Sequence, residues 1–295
     1  MSEKTLKQAI YFLAAVTALY LLTTLLNQGG TGAPAGGADV AEALEASPEE
    51  TDRIVLTGPE RTVTLERAND EWTVNGFLAD STAVARFWDA LSESEIGDVA
   101  ATNPANHERL GITADSAWVL TIGQEERVLL GHAGPQFGTA YVRLPDADEV
   151  YLLRGDLRSA TTRSLVDWRD KLVLSVDTAR VTAVEVTRDG DTRRWERGDG
   201  AWTVGGQGAD ETEVRNLLQE LAAFRATGFA ADSITMKETP DRRILAFDAE
   251  GNEMASLALD EGDGNLRAFS SQSPYVFQVP SWRADRIAPE GGDGN

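Results

Sequence analysis

The chain has 295 residues, enough to bury a core as one large domain or two small ones, and 42% hydrophobic with 25% charged residues argues against wholesale disorder. Forty-eight acidic residues against 27 basic ones give a formal charge of −21, a surface that repels phosphate backbones and excludes nucleic acid as a partner class. The absence of cysteine removes disulfides, thiolate nucleophiles, thiolate zinc sites and the lipidated cysteine of a bacterial lipoprotein together.

Residues 1–8 carry Lys4 and Lys7 and precede Ala9–Leu26, a stretch without a charged residue. Its 18 residues approach the roughly 30 Å hydrocarbon thickness at about 1.5 Å per residue, so the segment is long enough to span a membrane. The next basic residue is Arg53, and this bias places residues 1–8 in the cytoplasm and everything after the span outside it, in the periplasm if the membrane is an inner one. A cleaved signal peptide, with small residues at Ala33-Pro34-Ala35, is the rival reading; the apolar run is longer than a signal core of about 7 to 15 residues, which favours an uncleaved anchor. Residues 27–52, rich in Gly, Ala, Pro and Glu and without apolar periodicity, read as a flexible linker.

Shifting the chain by 130 residues lays Trp72-Thr73-Val74-Asn75-Gly76 on Trp202-Thr203-Val204-Gly205-Gly206. Across Ile54–Leu91 and Val184–Leu221, 13 of 38 pairs are identical, where chance at about one in twenty gives roughly two, so the chain is a duplication. Val84, Phe87, Trp88 and Leu91 form one apolar helical stripe, repeated by Val214, Leu217, Leu218 and Leu221. Asp80 and Asp210 stand just ahead of these helices, where a short carboxylate accepts the first free N–H groups; this explains the pair better than acid–base catalysis does. Glu213 adds a capping-box pattern.

Strands are expected before each helix at Ile54–Thr57, Thr62–Arg67 and Trp72–Val74, then Val184–Arg188, Thr192–Arg197 and Trp202–Val204. Four follow each helix: Ala117–Ile122, Arg127–Gly131, Thr139–Leu144 and Val150–Leu153, then Arg243–Phe247, Glu253–Leu259, Asn265–Phe269 and Tyr275–Val279. Tight connections favour antiparallel pairing. The expected fold class is therefore α+β: a transmembrane helix, then two tandem repeats of antiparallel sheet plus one long helix, at 53–175 and 176–288, with an acidic disordered tail at 289–295. Short helices are expected to close the copies at Asp156–Arg163 and Ser281–Ile287. Trp72 and Trp202 are expected largely buried at equivalent sites, with a carbohydrate-stacking platform as the alternative; Trp88 falls on the apolar stripe and belongs in the core.

Catalytic chemistry finds little support. The two histidines, His107 and His132, lack metal-ligand spacing and have no counterpart in the second copy. Gly131–Gly138 lacks the GK[ST] ending of a phosphate loop and joins two strands. Asp260-Glu261-Gly262-Asp263-Gly264-Asn265 has calcium-like oxygen density without EF-hand spacing and reads as an acidic hairpin turn. No catalytic, cofactor-binding or metal-binding residue is assigned, and no cofactor is expected.

Taken in order, Trp72-Thr73-Val74, the Asp80 helix, Glu108-Arg109-Leu110-Gly111-Ile112, the Gly131–Gly138 loop running into Tyr141-Val142-Arg143, Val150-Tyr151-Leu152 and Trp168-Arg169-Asp170-Lys171-Leu172 resemble bacterial envelope proteins of the domain-of-unknown-function family numbered 4340. The resemblance covers roughly Ile54 to Ile287; the second copy has no clear counterpart of the Leu110-Gly111 turn. It implies one N-terminal membrane segment, and a non-enzymatic accessory or scaffold role beside ABC transporter subunits like those of gliding-motility machinery. The alternative is a periplasmic binding module that takes an envelope glycan or peptide in a cleft between the two repeats.

Overall fold

The computed structural model describes residues 35–290 except 232, 233 and 263; the expected membrane span Ala9–Leu26 lies outside the described residues. Among those described, no helix is long and apolar enough to cross a membrane. The chain divides into two compact units, one ending at Arg169 and the other starting at Asp170, earlier than the expected 175/176 boundary. The shift has a packing cause: Val173 and Leu174 are buried in the second core, and the Ser270 hydroxyl donates to the Val173 carbonyl.

In the first unit, β1 (Arg53–Thr57), β2 (Thr62–Ala68), β3 (Glu71–Val74) and β4 (Phe77–Leu78) form a meander. Helix α2 (Ser81–Ser92) follows, then β5 (Glu95–Ala101), and a second meander of β6 (Trp118–Ile122), β7 (Glu125–Ala133), β8 (Thr139–Arg143) and β9 (Val150–Arg154). They make one nine-stranded sheet in the order β4-β3-β2-β1-β6-β7-β8-β9-β5, every ladder antiparallel. Alternation does what period-2 patterning requires: Ile54, Leu56, Val63 and Leu65 are buried, and their neighbours in the strands are not. The apolar stripe of α2, Val84, Phe87, Trp88 and Leu91, packs onto this face, which is closed further by Leu157 in helix α4 (Leu157–Thr161) and Trp168 in helix α5 (Leu165–Trp168). On a separate cluster, helix α3 (His107–Leu110) sets Leu110 and Ile112 against Leu129 and Val150.

The second unit repeats the plan. Strands β11 (Ala183–Arg188), β12 (Asp191–Gly198), β13 (Ala201–Val204) and β14 (Gln207–Gly208) precede helix α6 (Glu211–Ala222); β16 (Gly228–Phe229) and the meander β17 (Arg242–Phe247), β18 (Glu253–Asp260), β19 (Leu266–Ser270) and β20 (Phe277–Val279) follow. The order β14-β13-β12-β11-β17-β18-β19-β20-β16 is that of the first sheet strand for strand. The register agrees too: Arg67 faces Trp72 and Val74 faces Phe77, as Arg197 faces Trp202 and Val204 faces Gln207. The duplication read from sequence is therefore a duplication of architecture, mixed α and β with two large antiparallel sheets. A small extra sheet pairs β10 (Leu172–Leu174) with β15 (Phe224–Arg225), and helix α7 (Ser281–Ile287) packs on α6. That contact holds the buried Glu220 carboxylate between Arg283 and Arg286, at 3.2 and 3.4 Å; burial pushes its pKa up and the two guanidinium groups pull it back.

Three further expectations change. The linker read over 27–52 is not featureless in its described part: helix α1 (Ala35–Ala43) buries Val40, and Leu44 follows it into the first core. Gly36 faces Tyr151 so closely that a Cβ there would strike the phenol oxygen. Trp72 and Trp202 are only half-buried, because each lies on the third strand of its sheet beside a two-residue edge strand; the fully buried indoles are Trp168 and Trp195. In the tail, residues 291–295 lie outside the described residues, while Glu290 is held, its carboxylate accepting from Arg188 at 2.7 Å and its carbonyl from Arg193 at 3.0 Å.

If α1 and Leu44 belong to the core, Leu44→Ala costs about 2–5 kcal/mol in chemical denaturation; a loss within roughly 0.5 kcal/mol, the surface range, would return the segment to a tether. The same region sets a pH dependence. Burial, and the 2.5 Å hydrogen bond that Tyr151 donates to Glu149, push the Tyr151 phenol up to about 12. A folded pKa above the unfolded value of about 10 means stabilisation that is complete below pH 10 and lost as pH rises through 12. Tyr151→Phe should flatten the fall of Tm over that window, and equal slopes in both proteins would exclude the effect.

Candidate functional site

The residues that sequence reasoning singled out are mostly occupied by the frame. Asp80 Oδ1 accepts from the N–H groups of Thr82 and Ala83 at 2.9 and 3.1 Å, and Asp210 Oδ1 from Thr212 and Glu213 at 2.9 and 2.8 Å. Both aspartates are helix caps. Glu213, placed in a capping box from sequence, receives a two-pronged contact from Arg193 at 2.9 and 3.1 Å.

The motifs around the two histidines are likewise structural. His107 Nε2 lies 2.8 Å from the Asp148 carbonyl. Gly111 ends α3 in the left-handed region with φ of 65°, and the His132 ring packs where its Cβ would stand, so the position admits little but glycine. The Arg143 guanidinium donates to the carbonyls of Ile112, Leu144, Pro145 and Ala147 at 2.6–3.0 Å, tying the Leu110–Ile112 turn to the β8–β9 connection. Burial lowers its pKa, against the raising effect of Asp148 and Asp146. Arg158 sews helix α4 to the Gly131 carbonyl at 2.7 Å. No group of three or more His, Cys, Asp or Glu residues placed to hold a metal ion occurs among the described residues.

The acidic turn after β18 joins two paired strands, as a hairpin should. The carboxylate that opens it, Asp260, is aimed at backbone nitrogen. Asp260, fully buried, accepts from the backbone N–H of Lys237 at 2.7 Å and of Asp241 at 3.3 Å. Asp241 takes the Lys237 ammonium at 2.6 Å and the Glu261 N–H at 2.9 Å, which hold its pKa below the usual carboxylate range.

What sequence reasoning missed is a groove. In the second unit, helix α6 and the β13–β14 hairpin flank an open groove of about 700 Å³, within the size range of small-ligand sites. The Trp202 indole, Ala209, Val214 and Leu218 supply apolar walls; Gly200 and Gly208 stand at the rim, with open space where a Cβ would project. Arg215 and Glu211, both exposed, contribute charge from the helix. All of these residues belong to one copy. The signal was present in the repeat itself, since four of the lining positions carry larger side chains in the first copy: Asp70, Glu71, Leu78 and Trp88 stand where the second has Gly200, Ala201, Gly208 and Leu218.

Compared with known proteins, residues 72–244 match the family model "Domain of unknown function (DUF4340)". No curated protein and no solved structure gives a match.

Because their oxygens cap helices, Asp80→Ala and Asp210→Ala should each cost about 1 kcal/mol, within roughly 0.5–2, in denaturant titrations. A destabilisation near zero for both would remove the capping role and reopen a chemical one.

Proposed function

The chain belongs to the DUF4340 family, and from that premise we propose that it is a non-enzymatic accessory or scaffold subunit, anchored in the inner membrane by Ala9–Leu26 and working outside the cytoplasm with an ABC-type transporter. The observation that carries this reading is how the polar residues of the sequence motifs are used. Asp80 and Asp210 cap helices, and Arg143 and Arg158 clamp backbone carbonyls, so the duplicated frame is built to hold a shape. The uncharged span behind Lys4 and Lys7 supports the anchor and its orientation. Two broad sheets behind a membrane anchor suit a subunit that braces or couples other components. The transporter association rests on the family resemblance.

A second reading, a periplasmic binding module for an envelope glycan or peptide, is favoured by the groove beside α6.

Two measurements test the first reading. Affinity capture of the full chain in mild detergent should enrich transporter subunits; recovery of no membrane protein above background removes it. Reporters fused after Asn295 should be active when the enzyme works only outside the cytoplasm, and a cytoplasm-positive fusion overturns the orientation.

A further inference from the structure

The two copies share a fold and a register, so the first copy displays in filled form the groove that the other leaves open. In the first unit the indole of Trp88, on α2, lies against the indole of Trp72, on β3, with ring centroids 6.2 Å apart. Trp88 is buried there. The second copy keeps the wall, Trp202, with the same backbone bond: the Ala209 N–H donates to the Trp202 carbonyl at 2.9 Å, as Ala79 does to Trp72. It replaces the filler by Leu218, and the rim side chain Leu78 by Gly208. What remains is an open groove of about 700 Å³ that takes in the place where the first copy sets an indole of its own.

The charge on the lining changes as well. At the equivalent positions the first copy carries three carboxylates and no cation: Asp70, Glu71 and Asp89. In the second these become Gly200, Ala201 and Gln219, while Ser81 and Ala85 become Glu211 and Arg215. The lining passes from three negative charges to a balanced pair, in a chain whose overall charge is −21. Arg215 is exposed on α6 and has no ion-pair partner among the described residues.

The geometry points to a binding site in the second copy for a small aromatic carboxylate, its ring taking the place that Trp88 fills in the first copy and its carboxylate meeting Arg215. The ring exchanges water for the Trp202 face and the Val214 and Leu218 side chains, the apolar burial that drives entry. The guanidinium then selects an anionic end by a charge-assisted, two-pronged hydrogen bond. This site is independent of the transporter reading, and its test needs no partner protein.

The full chain in detergent micelles is titrated with indole-3-acetate and, separately, with uncharged indole, and binding is followed by ligand-observed NMR with empty micelles as the blank. Indole-3-acetate should bind saturably and more tightly than indole. Leu218→Trp, which restores the filler of the first copy, should weaken both probes at least about tenfold. Gly208→Leu, which restores its rim and enters open space, should do the same where the tryptophan is not accommodated. Arg215→Ala should weaken indole-3-acetate about three- to tenfold and leave indole unchanged. The proposal is overturned if neither probe binds at millimolar concentration, if a folded Gly208→Leu protein binds both as well as the original, or if Arg215→Ala weakens the two probes equally. Binding of an aromatic-rich acidic peptide in place of either small molecule also overturns it, in favour of a protein partner.

Discussion

Each copy depends on one demand: a single helix must carry the chain from one edge of a nine-stranded sheet to the other. The strand before α2 is β4, at one border, and the strand after it is β5, at the opposite border. Nine strands spaced roughly 4.8 Å apart put flat borders about 38 Å from each other. Twelve helical residues rise only about 18 Å, so on a flat sheet the short connections at 79–80 and 93–94 would have to run almost fully extended in line with the helix. A sheet that twists around its helix, as antiparallel sheets readily do, relieves that demand. This is why one helix buries so large a share of each core, and why its cap matters. Slippage of α2 by one turn would withdraw β5 from β9 as well as misplace Phe87 and Trp88.

Within that common frame the two copies have redistributed bulk. Leu65 on β2 corresponds to Trp195 on β12, both fully buried, while Phe87 and Trp88 on α2 correspond to Leu217 and Leu218 on α6. The second copy thus moves an indole from helix to sheet, where Arg193 covers it at 4.5 Å. The exchange keeps the centre of the core packed and leaves the margin beside Trp202 unfilled. The groove is a consequence of where volume was removed, since cores tolerate substitution best when the total volume at a locus is kept.

Much of this architecture was legible in the residues. Helices α2 and α6 follow from the spacing of four apolar side chains behind an aspartate, and the strands with one buried face follow from alternation. What was not legible lacked those signals. Strand β5 sits at a sheet border, and Glu95–Ala101 buries no side chain fully, so it shows no alternation. Strands β14 and β16 are two residues long. Helix α1 has one buried aliphatic side chain, Val40, in a run of glycine and alanine that composition alone assigns to a linker. Trp72 and Trp202 misled because identity between copies reported position, and burial at that position was decided by the sheet margin. The groove was written in the differences between copies, and these gain meaning only once the register shows which positions face each other.

The exchange of Leu65 for Trp195 and of Trp88 for Leu218 has a consequence for how the chain reaches its native state. Tandem repeats of like sequence can trade elements during folding, a recurrent failure of duplicated proteins. Here α2 laid on the second sheet would press Phe87 and Trp88 toward Trp195, an overpacking that costs typically about 1–3 kcal/mol. In the converse swap, α6 on the first sheet would bring Leu217 and Leu218 to a surface shaped for two aromatic rings and leave voids. Each helix is matched in bulk to its own sheet, so divergence between the copies doubles as an address label that steers each segment to its proper half.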